Sequence, residues 1–441
     1  MSDMSHTPPG LPVVGNVTRL GNDPLRFLTG VQQAYGGRHP LVRLDPPGVE
    51  SINVVVDAEL VHEVLDDRER FARPTIGPQA NRRQGLLSTD GLLWEAQRSV
   101  LEPEFVGARL AEYADISGEV TEETLSAWPA TGTVDILEEM SVLTLRVISQ
   151  GLFSRDTAPD RGRAVHEALE TFGHELEFDI GDFLLPESLQ SGPSAAFEEA
   201  DAFIEEVATE FIDWHLDQDD PPRDMLTALI EAQADPSIEL SENELLDETV
   251  LFLTAGQETT ALTIAYAFYW LSRNPDARER VRQEATAVLD GDTPGWDDLP
   301  DLSYTERVVR ETLRLTPAAW NVMREPRAPT RLGGTDLGAG ELLMLSPYAH
   351  HRDRRVWDDP EAFRPERWAG PASRSRDAYF PFGAGPRVCI GRQVALTEAQ
   401  FALAAILQAY EVEVLTDELR FRPAVTLQPS MPLRARVTAR S

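Results

Sequence analysis

Phe382-Gly383-Ala384-Gly385-Pro386-Arg387-Val388-Cys389-Ile390-Gly391 holds the only cysteine of the chain and decides how the rest is read. Its glycines carry no Cβ, so the backbone there can turn tightly at positive φ and come close to a flat ligand. The cysteine falls just before Gly391-Arg392-Gln393-Val394-Ala395-Leu396, which opens a helical pattern. Its sulfur is therefore expected to face the unpaired N–H groups of a helix N-terminus, where thiolate is favoured over thiol. A lone cysteine is most often a small buried hydrophobe. The flanking glycines, and Arg387 two residues upstream, argue for a working sulfur instead. A phosphate-cradling loop is excluded, because no Gly-Lys-Ser/Thr follows and the third glycine is misplaced for a dinucleotide turn.

The run matches the Phe-x-x-Gly-x-Arg-x-Cys-x-Gly ligand loop of the cytochrome P450 family at every fixed position. The chain is similar to that family from Pro8-Pro9-Gly10-Leu11-Pro12 to its end. The resemblance implies a mainly α fold with a small β portion. It also implies haem b (iron protoporphyrin IX) with Cys389 as axial thiolate, haem contacts from Phe382 and Gly391, and monooxygenase activity.

Four further motifs follow the family order. A Ser-x-x-Glu capping box, Ser241 to Glu244, opens a helix that runs to Arg273, where Asn274-Pro275 stops it. At about 33 residues it would be roughly 50 Å long. A glutamate near its middle argues against a membrane span and for a helix through a protein core. That middle, Ala255-Gly256-Gln257-Glu258-Thr259-Thr260, resembles the family's oxygen-binding helix. Ala255 and Gly256 are expected beside the cofactor, with Gly256 leaving room for a diatomic ligand. Thr259 can bond a carbonyl one turn back and admit water. Glu258 is then the acid that feeds protons.

Glu311-Thr312-Leu313-Arg314 places a glutamate and an arginine on one helix face. It resembles the family's Glu-x-x-Arg pair, and Phe363 to Trp368 resembles the segment whose arginine, Arg367, completes that network. Trp94-x-x-x-Arg98, Arg324 and Arg387 stand where the family contacts the haem propionates. Ser99 departs from the second arginine that many relatives carry after Arg98.

Composition adds limits. Acids outnumber bases 74 to 40, the formal net charge is −34, and every one of the 40 bases is arginine. Nucleic acid is excluded as a partner, because it requires a basic face. Self-repulsion of this size fades at about 1 M salt, where the Debye length is about 3 Å. Acid excess without lysine is the composition expected of a salt-accumulating cytoplasm, implying an extreme halophile and a haloarchaeal source. One cysteine rules out an intrachain disulfide or a cysteine-built zinc or iron–sulfur site. Met1 to Gly15 shows neither a signal peptide's apolar core nor a membrane anchor, so a cytoplasmic protein is expected.

The chain reads as a single domain, 1–441, with a flexible proline-rich stretch at about 1–15. Helical patterns dominate from Ala108 to Leu315. Strand patterns fall at Leu41–Leu44, Ser51–Val56 and the glycine-punctuated hairpin from Arg331 to Met344. From His351 to Arg392, nine arginines face six acids, a local positive excess on the side where the family docks an electron donor. A separate ferredoxin or flavodoxin with its reductase is expected, and a monomer. By family position the substrate pocket is lined by Thr75–Leu87, Leu251–Ala255, Thr316–Met323 and Val425–Met431. Trp320, Val322, Leu427 and Met431 would make it apolar, while Gln79, Asn81, Arg82 and Arg83 could meet a polar end. The substrate is expected to be a hydrophobic small molecule such as a lipid, terpenoid or carotenoid, oxidised with O2. A peroxide-driven peroxygenase and a non-catalytic haem-thiolate sensor or carrier are the alternatives.

Overall fold

The computed structural model describes residues 18–45, 51–74, 82–177, 192–235, 238, 240–370 and 377–440. Its helices begin with α1 (Thr18–Asn22), α2 (Pro24–Tyr35), α3 (Ala58–Asp66), α4 (Gly91–Leu101) and α5 (Ala108–Ser126). Then come α6 (Ile136–Phe153), α7 (Pro159–Glu175), α8 (Ala195–Leu216), α9 (Met225–Ala234) and α10 (Glu242–Arg273). The last four are α11 (Pro275–Leu289), α12 (Ser303–Leu315), α13 (Pro347–His350) and α14 (Arg392–Ala409).

Helix α10 is the axis of the body. Ser241 caps it, accepting from the Glu244 backbone while Glu244 bonds back to the Ser241 backbone. Ala261, Ile264, Ala265, Tyr266 and Ala267 have no exposed surface, so this half is apolar all round, as a helix surrounded by others must be. It packs on α6, α8, α12 and α14. No helix among the described residues is long and apolar enough to cross a membrane.

The strands are β1 (Leu41–Leu44), β2 (Ile52–Val55), β3 (Phe71–Ala72), β4 (Thr131–Asp135), β5 (Val322–Pro326) and β6 (Thr330–Leu332). Six more follow: β7 (Thr335–Leu337), β8 (Leu342–Leu345), β9 (Tyr410–Val414), β10 (Phe421–Pro423), β11 (Leu427–Pro429) and β12 (Arg434–Ala439). One five-stranded sheet has the order β1-β2-β8-β5-β3, joining early and late chain segments. Leu343 and Leu345 in its centre have no exposure, which fits strands covered on both faces.

Two expectations about strands are corrected. The helical stretch after Ala108 is interrupted by β4, which pairs with β12 in a three-stranded sheet β4-β12-β9. Nothing local marks Thr131–Asp135 as a strand; its partner lies some 300 residues away. The hairpin from Arg331 stops early. β6 and β7 turn at Gly333 and Gly334, both at positive φ (54° and 84°), and β8 leaves to pair in parallel with β2.

Candidate active site

The cysteine loop is pinned from two sides. Gly385 sits at φ 68°, and a Cβ on it would lie 2.3 Å from the Leu65 carbonyl oxygen at the end of α3, so only glycine fits. Cys389 N–H donates to the Phe382 carbonyl at 3.0 Å, closing the loop, and Gly391 caps α14. The cysteine side chain is exposed to contact. It is also ringed by protein, and burial pushes its thiol up, opposed by the Gly391 N–H, Arg98 and Arg392. A coordinated metal deprotonates a thiol outright.

Behind the loop lies the Glu-x-x-Arg network. Glu311 and Arg314 are both fully buried and meet in a two-pronged pair at 2.9 and 3.0 Å. Arg367 Nε and Trp368 Nε1 each add a bond to Glu311 at 2.9 Å. The remaining Arg314 donors go to the carbonyls of His351, Pro360 and Ala362. Every charge is thus answered, as burial demands. His351 extends the network to the loop: its Nε2 accepts from Phe380 N–H at 3.1 Å, leaving Nδ1 to donate to the Arg314 carbonyl at 3.2 Å. Both bonds need a neutral ring, and burial holds its pKa well below the usual range. Sequence reasoning missed His351, because its partners lie 29 and 37 positions away.

Arginine gathers beside the loop. Arg387 stacks on the Trp94 ring at 4.9 Å and donates to the Thr89 carbonyl at 2.6 Å. Arg98 donates to the Val388 carbonyl at 3.0 Å. Arg324 donates to its neighbour Met323, and burial and then Arg387 push its pKa down to about 10. Arg73, which the sequence did not single out, belongs to the same cluster. Burial, Arg387 and Arg324 lower its pKa to about 10, and its Nη1 is buried without a protein partner. Asp90 is the acid that opposes this repulsion. Three half-buried cations with one acid and an orphaned donor are what two carboxylates of a flat ligand would satisfy. The residues present therefore fit haem.

On α10, the Thr259 hydroxyl donates to the Ala255 carbonyl at 2.8 Å, the bond expected one turn back. Glu258 points elsewhere. Its Oε1 accepts from Thr426 at 2.8 Å and from Gln428 Nε2, and burial pushes its pKa up. A Cβ on Gly256 would lie 2.8 Å from Ile148 Cδ1, so the glycine also eases the approach of α10 to α6.

The expected pocket lining changes more. Arg82 binds Glu198 and Asp201, and Arg83 binds Asp201, Glu205 and Asp247, so neither is available to a substrate. Trp320 and Leu427 are core residues, Trp320 bonded to the Ala424 carbonyl. Met431 lies on an outer cleft, and Val322 packs at the edge of a core cluster. Gln79 and Asn81 lie outside the described residues. The arginine patch shrinks as well. Arg352, Arg355, Arg364 and Arg367 are ion-paired, Arg387 is internal, Arg374 and Arg376 lie outside the described residues, and Arg354 and Arg392 remain exposed.

Residues 6–432 match the family described as Cytochrome P450. The chain is 35% identical to "Cyclooctatin synthase" of Streptomyces melanosporofaciens, over 97% of this chain and 94% of the relative. It is 32% identical to "Cyclooctat-9-en-7-ol 5-monooxygenase" of the same organism, over 92% and 89% of the two chains. It is 30% identical to "Pentalenene oxygenase" of Streptomyces avermitilis, over 99% and 97%. The loop, the buried pair and the long helix thus stand in a known setting, and the chain belongs to the cytochrome P450 family.

Proposed function

We propose that this P450 is a haem-thiolate monooxygenase in which Cys389 is the axial ligand of haem b and a cyclic, terpenoid-like hydrophobic molecule is the substrate. The observation that carries it is the half-buried Arg73–Arg324–Arg387 cluster beside the cysteine loop, with its unpartnered guanidinium nitrogen. Haem bound there supplies the activation of dioxygen and insertion of one oxygen atom into a C–H bond.

The protein's residues do the rest. Arg73, Arg98, Arg324 and Arg387 would hold the propionates, and Trp94 fixes the Arg387 plane by stacking. The Gly391 N–H steadies the sulfur's charge. Glu258 is the acid of the relay, and burial pushes its pKa up, towards the neutral form. The Thr259 hydroxyl, anchored on Ala255, is the next member of the relay. Electrons come from a separate ferredoxin or flavodoxin with its reductase, approaching the side of Arg354 and Arg392. The substrate class is supported by the relatives' names, two of which specify oxidation of cyclooctat-9-en-7-ol and pentalenene. The lysine-free, acidic composition supports a halophilic, cytoplasmic setting.

The test is the carbon monoxide difference spectrum of the reduced protein beside that of Cys389→Ser. The thiolate-specific band is expected in the first and absent from the second; its persistence in the variant overturns the ligand. Cyclic terpenoid alcohols are expected to give a low- to high-spin shift, while turnover with hydrogen peroxide alone would favour a peroxygenase.

A further inference from the structure

Asn321 carries a buried side-chain oxygen, Oδ1, that has no partner among the described residues. A polar atom in that condition is ordinarily met by water or by a ligand. The residue ends the link from Thr316 to Asn321, between α12 and β5. Trp320 before it and Val322 after it pack in hydrophobic clusters. In a chain entering a strand, the side chain between two such neighbours faces the other way. Three ties locate that side. The Leu427 N–H donates to the Ala318 carbonyl and Trp320 Nε1 to the Ala424 carbonyl, both at 2.8 Å, so the turn between β10 and β11 sits on the link. The Thr426 hydroxyl of the same turn donates to Glu258 on α10 at 2.8 Å. Arg324, a little further along the chain than Asn321, belongs to the arginine cluster beside the cysteine loop. At the tip of the turn Val425 is 61% exposed, an apolar side chain left largely uncovered.

We propose, resting on the terpenoid monooxygenase reading above, that the link, the turn and α10 wall the substrate space and that Asn321 sets its specificity, Oδ1 accepting a hydrogen bond from a hydroxyl the substrate already carries. An alcohol leaves its hydrogen bonds to water and regains one here. A hydrocarbon of the same shape strips the acceptor of water and offers no replacement. A wholly apolar pocket has no such asymmetry, whereas one that bonds a hydroxyl rejects the analogue lacking it. The anchored end also limits how the skeleton can lie, so that one C–H bond is presented. The anchored hydroxyl is neither made nor broken; the reaction adds a second, and the product is a diol. The reaction that supplies the substrate has therefore already placed oxygen on the skeleton, as a water-quenched cyclisation or an earlier hydroxylation does.

The experiment titrates haem-loaded, full-length protein with matched pairs: borneol and bornane, cedrol and cedrane, kauranol and kaurane. Dissociation constants are read from the low- to high-spin shift. In the pairs that bind, the alcohol is expected to bind about tenfold more tightly than its hydrocarbon. Asn321→Leu and Asn321→Ala are each expected to bring the two within about twofold, and Asn321→Asp, which keeps an acceptor in place, to retain the preference. Haem content, the carbon monoxide band and melting temperature certify that each variant is folded. Equal affinities within the pairs in wild type, or a preference that survives in Asn321→Leu or Asn321→Ala, overturn the assignment. No spin shift with any of these compounds, in protein that shows the thiolate band, overturns instead the terpenoid reading on which it rests.

Discussion

Arginine and carboxylate meet in two regions of this molecule under opposite conditions. Around Glu311 and Arg314 neither side chain touches solvent, and every hydrogen bond the pair offers is taken up. Around Asp201, Arg82 and Arg83 fasten the segment before α4 to α8 and α10 through five ion pairs that are partly wet, at 2.5 to 3.2 Å. The first arrangement had to be complete to exist, because an unanswered buried charge costs several kcal/mol. The second tolerates gaps, since water and salt compensate any missing partner. The network behind the cysteine loop is thus built from buried charge, and the tie from the segment before α4 to α8 and α10 from screened charge.

Breaking the buried pair gives the largest expected effect. Glu311→Ala or Arg314→Ala should destabilise by about 3–5 kcal/mol and yield protein that does not retain haem. Denaturant titration and the haem-to-protein ratio check this, and normal haem loading in both variants would refute it.

Glu398 sharpens the comparison, because it is buried like Glu311 but has no cation. Tyr113 donates to its Oε2 at 2.9 Å, its Oε1 has no partner, and burial raises its pKa from 4.5 to about 8. A carboxyl whose folded pKa is raised gives stability that is full below pH 4.5 and lost as pH rises towards 8. Glu398→Gln should remove that slope. Relative to its difference at pH 5, the variant should gain on the order of 2–4 kcal/mol by pH 9. Parallel stability curves for the two proteins would contradict it.

The smallest effect belongs to the wet region. A double-mutant cycle of Arg83→Ala and Asp201→Asn should give a coupling of about 1 kcal/mol in dilute buffer that vanishes near 1 M potassium chloride. Over the same range the wild-type melting temperature should rise, as repulsion among 74 acids is screened. A melting point insensitive to salt would count against the halophilic setting.

What could be read in the sequence divides along the same line. The cysteine loop, the capping box and Glu311-x-x-Arg314 are local patterns whose partners lie within a few residues, so spacing alone exposes them. Arg73, His351 and Gln428 act on residues tens to hundreds of positions away, and no local signal marks them. Arg82 and Arg83 show how an isolated charge misleads: their partners, Asp201 and Asp247, are invisible without α8 and α10 in place.

One further consequence comes from the lone sulfur at the head of α14, in a chain that has no lysine amine. A maleimide dye has one internal target, and haem bound as proposed would cover it. The labelled fraction of any preparation therefore counts the molecules that left the ribosome and never acquired their pigment.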